Sequence, residues 1–153
     1  MRRASILRQI EQATGMFETF SDRGEWLALL ASTIGTLRTL SPSEFYDEAN
    51  DRYHSVRDHI AGLVYSLENP ADFPKFLEIN AGRESWLPEN SEALTSMDAT
   101  EIHYRLASNV ADERWVDGIL GVAFQNGTLV PALERIAADI DKFKLTSDSQ
   151  QTP

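Results

Sequence analysis

Apolar residues recur at spacings of three and four along almost the whole chain, and a face patterned that way has to be buried by helix packing. Ile6, Ile10, Ala13, Phe17 and Phe20 predict an amphipathic helix over about residues 3–20. Ser21-Asp22-Arg23-Gly24 interrupts it. Trp26, Leu27, Leu30, Ile34 and Leu37 predict a second helix, with Leu29 and Ala31 widening its apolar face.

Ser41-Pro42-Ser43-Glu44 carries the features of a helix start: a capping serine, a proline at the first helical position and a glutamate where a capping box needs one. The third helix then runs to about Leu67, and Asn69-Pro70 stops it. Residues 69–98 are less regular. Asp72-Phe73-Pro74 opens a short helix ending near Asn80, with Gly82 as punctuation, and a turn or short helix follows before Met97.

Asp98-Ala99-Thr100-Glu101 is a second capping-box pattern, and helix is predicted from there to Gln125-Asn126-Gly127, with a break near Asn109–Asp112. Residues 115–124, TrpValAspGlyIleLeuGlyValAlaPhe, are apolar nearly all round and belong in the middle of a bundle, with Trp115, Ile119 and Phe124 in the core. The competing reading is a greasy pocket or a dimer contact lined by Trp115 and Phe124. Gly118 and Gly121 are expected to sit inside this run at a close helix–helix contact. Leu133, Ile136, Ile140 and Phe143 mark a final helix, with Pro131 in its first turn.

No alternating pattern of strand length occurs, and no internal repeat. The fold class expected is therefore all-α. It is a single-domain bundle of about five to seven helices over residues 1–145, followed by a disordered polar tail at 146–153. A chain of 153 residues can bury a proper core on its own.

The chain has no cysteine, which removes disulfides, thiolate metal sites and a cysteine nucleophile. No apolar run reaches membrane-spanning or signal-peptide length, so a cytoplasmic protein is expected. Net charge is −10. Residues 44–141 hold seven basic against nineteen acidic side chains, a net of −12. Such a body repels nucleic acid and anionic membranes and attracts basic protein surfaces.

The acids are densest in EFYDEANDRYHSVRDH, residues 44–59. On a helical wheel of about 100° per residue, Asp51, His54 and Asp58 fall within roughly 40° of Asp47, with Glu44 beside them. Phe45, Tyr53, Val56, Ile60, Leu63 and Leu67 fall in an arc centred about 180° away. The acidic stripe thus points away from the face that packs. A metal centre needs ligands convergent from more than one helix, so the stripe is expected to be solvated surface, available for docking.

Among the three histidines, His54, His59 and His103, no ligand spacing occurs, and His59 and His103 are expected at the core boundary. No bound metal or cofactor is expected. Glu113 and Asp117 lie one turn apart. With Glu44, Glu48 and Asp51 they resemble the acidic helix pairs that hold magnesium in all-α nucleotide pyrophosphohydrolases. That resemblance covers those acids alone, and the family's ordered set of acidic pairs is incomplete here. No serine elbow or phosphate-cradling glycine loop is present.

These observations point to a non-enzymatic acidic protein-binding protein of the immunity-protein, antitoxin or inhibitor type, docking a basic partner such as a toxin or an enzyme. Its contact residues would be Glu44, Tyr46, Asp47, Glu48, Asp51, His54, Asp58 and Trp86, with Tyr46 and Trp86 as aromatic anchors. The alternatives are a magnesium-dependent hydrolase or nucleotide-processing enzyme using helix carboxylates, and an adaptor subunit that forms a homodimer through its apolar C-terminal helices.

Overall fold

The computed structural model describes residues 22–41, 51–68, 73–80, 82–113 and 118–145, with side chains described there except at 51–55, 73, 77, 82 and 83. The expected first helix, the helix start at Pro42–Asn50 and the polar tail lie outside them. The described elements are mostly helical and pack as a bundle: α1 (Arg23–Thr39), α2 (Asp51–Tyr65), α3 (Phe73–Ile79), α4 (Ala99–Glu113), α5 (Ile119–Gln125) and α6 (Leu129–Ala138). Short 3₁₀ turns cover Gly82–Ser85, Ser91–Ser96 and Ile140–Lys142.

Local chemistry sets the ends of these helices. The Asp22 carboxylate accepts the N–H groups of Gly24 and Glu25 at 2.6 and 3.3 Å and starts α1. Asp98 does the same for α4, accepting the Glu101 N–H at 2.9 Å and the Thr100 hydroxyl at 2.6 Å. These bonds hold the Asp98 carboxyl below its ordinary range. Gly127 ends α5 with φ of 75°: its N–H reaches the Phe124 carbonyl and the Thr128 N–H reaches the Ala123 carbonyl, which together make a Schellman stop.

Helix α1 packs on α2 and α6, and α4 packs on α2, α5 and α6. Leu30 and Leu37 of α1, Ile60 and Leu63 of α2, Ile102 and Leu106 of α4, and Leu129, Leu133 and Ile136 of α6 fill the space between them. The last turn of α2 is buried all round, from Ile60 to Ser66. A buried helix end needs partners for carbonyls that the helix itself leaves unpaired. Here a side chain supplies one: the Trp26 indole N–H donates to the Leu63 carbonyl at 2.9 Å, while the Gly62 carbonyl, already bonded to the Ser66 backbone N–H at 3.1 Å, also accepts the Ser66 hydroxyl at 2.6 Å. His103 Nε2 lies 3.0 Å from the Val64 carbonyl. A carbonyl only accepts, so this nitrogen carries the proton.

Several details differ from the sequence expectations. Helix α4 is continuous through Asn109–Asp112, where a break was expected. His103 is buried rather than at the boundary, while His59 is exposed. Gly118 lies ahead of α5 in a left-handed conformation, φ 99°, rather than inside a helix. Helix α5 is not buried all round, because Val122 is 51% exposed. The final helix ends at Ala138. Ile140 lies in a 3₁₀ turn, and Phe143 is buried from extended chain. Two residues on each side then form a small antiparallel ladder, β1 (Leu67–Glu68) with β2 (Lys144–Leu145), in the register Leu67 to Leu145 and Glu68 to Lys144. A two-residue strand is too short to show a period of two.

Candidate binding surface

Asp58 is exposed on α2, while Val56, Ile60 and Leu63 of the same helix are buried, as the wheel requires. Asp51 and His54 lie on α2, and nothing further is described of their side chains. Glu44, Tyr46, Asp47 and Glu48 lie outside the described residues, as do Trp115 and Asp117. Trp86 is half-buried, and its indole N–H donates to Asp112 at 2.7 Å. It stands as a wall of the molecule, held at its polar end.

That wall belongs to an irregular segment which the sequence left loosely defined. Residues 84–97 are held to the bundle by long-range bonds from three α4 side chains and one on α6. Asp112 takes the Trp86 indole, and the Asn109 side-chain oxygen accepts the Leu87 N–H at 2.8 Å. Arg105 donates to the carbonyls of Glu84 and Trp86 at 2.6 and 3.0 Å, with its Nε 3.3 Å from Glu101. Arg135 of α6 donates to the carbonyls of Leu94 and Met97 at 3.0 and 2.9 Å. Asn109 and Asp112 resemble helix breakers in sequence because their partners lie more than twenty residues away.

The same packing leaves a groove of about 690 Å³ between this segment and α5, lined by Trp86, Leu87, Pro88, Ile119, Val122 and Ala123, with Glu84 and Glu89 also at its margin. Sequence reasoning missed it. The sequence signal that points there is Trp86 and Pro88 set between Glu84 and Glu89; the exposure of Val122 inside an apolar run is seen only in the structure.

The structure gives the Glu113 carboxylate a backbone role. It is buried at the end of α4 and accepts the N–H groups of Gly118, Ile119 and Leu120 at 3.3, 2.7 and 3.2 Å, capping the first turn of α5. Among the described residues no group of three or more histidine or acidic side chains is placed to hold a metal ion. No helix among them is long and apolar enough to cross a membrane.

Exposed charge among the described residues is mostly negative: eleven carboxylates, Asp58, Glu68, Glu78, Glu84, Glu89 and Glu92 among them, face solvent against five basic side chains, Arg23, Arg38, Lys75, Lys142 and Lys144. Arg105 and Arg135 turn their guanidinium groups onto backbone carbonyls. Fold and surface of the described residues together define an acidic helical bundle with a carboxylate-rich exterior and a partly apolar groove. No family model, curated protein or solved structure matches the chain.

Proposed function

We propose that the chain is a non-enzymatic acidic protein-binding protein, of the immunity-protein, antitoxin or inhibitor type, that docks a basic partner protein. The observation that supports this reading is the acidic excess of the exterior: among the described residues eleven carboxylates are exposed against five basic side chains. An exterior so biased steers a basic partner into encounter, and the steering weakens with salt.

The test is kinetic. Affinity purification from the source cells should yield a partner of strongly basic composition. Changing Asp47, Asp51 and Asp58 together to Asn should slow association with it at low salt. The difference should vanish near 1 M salt, where the Debye length is about 3 Å. Recovery of only acidic or neutral partners would remove the reading. An unchanged low-salt association rate in the triple variant would take the docking role away from the α2 stripe.

A further inference from the structure

We propose that the groove between residues 84–89 and α5 receives a segment of the basic partner that carries a large apolar side chain flanked by lysine or arginine. This deepens the binding reading and rests on it: the acidic exterior accounts for encounter, and the groove supplies the place where a chain segment seats.

Three observations carry the proposal. First, the groove is apolar where an anchor would sit, with Leu87, Ile119 and Ala123 buried beneath it and Val122 half exposed at its edge. Its volume, about 690 Å³, lies in the range of roughly 300–1,000 Å³ typical of ligand sites and takes more than one side chain.

Second, the described charge at its margin is negative. Glu84 and Glu89 are exposed there, and Arg105, the cation on the described lining, directs its guanidinium onto two carbonyls and the Glu101 carboxylate. Lysine or arginine beside the anchor meets opposite charge at this margin, whereas an acidic segment meets like charge. Third, the wall is already fixed. The bonds from Asp112, Asn109 and Arg105 hold Trp86, Leu87 and the Glu84 carbonyl in place before anything binds, so little ordering remains to be done on docking.

The experiment uses the full chain and three fluorescently labelled peptides of equal length: Lys-Lys-Leu-Phe-Leu-Lys-Lys, the same peptide with serines replacing its apolar residues, and the same with glutamates replacing its lysines. Binding is followed by anisotropy and by amide chemical shifts. The basic apolar peptide should bind more tightly than either control and shift the amides of Leu87, Ile119 and Val122. Val122→Lys, at an exposed position, should weaken it by roughly tenfold or more, the scale of a lost anchor contact. The double change Glu84→Gln with Glu89→Gln should weaken it a few-fold at low salt and not at high salt.

Equal binding of the serine and apolar basic peptides, unaffected by Val122→Lys, would overturn the groove proposal and leave the acidic-surface reading standing. Equal binding of the acidic and basic apolar peptides would overturn the charge half of the proposal and take support from that reading as well. No shift at Leu87, Ile119 or Val122 with any peptide would remove the groove as a binding site.

Discussion

Two glycines show how one residue type serves opposite ends at different positions. Gly127 stands at φ 75°, where an L side chain is strained, and a Cβ there meets nothing within 4 Å. Gly127→Ala should therefore destabilise the protein by about 1 kcal/mol through backbone strain alone, without a clash. Gly35 lies inside α1, is exposed, and a Cβ there also meets nothing within 4 Å. Gly35→Ala should stabilise by roughly 0.5–1 kcal/mol, because it lowers the freedom of the unfolded chain and improves helix propensity. Urea unfolding of the pair checks both signs, and the same sign for both would contradict these assignments. The sequence showed Gly127 as a helix stop, since it follows an apolar helical run. It could not show that Gly118 also takes a left-handed conformation, because the pattern around that residue stays apolar.

At the scale of an element, α5 depends on its neighbour. A helix of seven residues is far too short to hold its own shape in water, and its first turn is capped by Glu113 from the end of α4. Glu113→Gln keeps the shape but turns part of an acceptor-only carboxylate into an N–H₂ facing backbone N–H groups. A cost of about 1–3 kcal/mol is expected, with faster amide exchange at Ile119 and Leu120 than at α1. Uniform exchange across the bundle would show that the cap is not what orders α5. The helices themselves were largely legible: buried Leu30, Ile34 and Leu37 and exposed Asp58 follow from spacing alone. What spacing does not reveal is a partner distant in sequence. Asn109, Asp112 and Arg105 hold residues 84–87, and the groove exists only once that segment is set against α5. Glu113 was read beside Asp117 as part of an acidic pair, whereas the structure engages it with the backbone of the next helix.

For the whole molecule, charge and burial pull stability in opposite directions as pH falls. A net charge of −10 repels itself, and titration toward the sequence pI of about 4.7 relieves that repulsion. His103 acts the other way. Burial pushes its pKa down to about 4, although the bond to the Val64 carbonyl opposes the shift. The unfolded chain takes up this proton near pH 6.5 while the folded chain refuses it until about 4, so stability is complete above 6.5 and declines as pH falls toward 4. At 1.36 kcal/mol per pKa unit the loss is on the order of 3 kcal/mol, and below about 4 it levels off. The depressed Asp98 carboxyl adds a further loss only at lower pH, as pH falls through its folded value, which lies below 3.8. Salt separates the two effects, because screening at 1 M suppresses repulsion between exposed charges and leaves a buried imidazole almost untouched. Urea unfolding at 1 M salt should therefore show the wild-type protein losing stability between about pH 6.5 and 4. His103→Gln, whose amide N–H can still reach the Val64 carbonyl, should lose markedly less over the same window. At low salt the wild-type decline should be shallower, since relief of repulsion offsets part of it. Parallel curves for the two proteins at 1 M salt would mean that His103 accepts its proton in the folded state as readily as in the unfolded one, and the turn of α2 around Val64 would then have to be open to water.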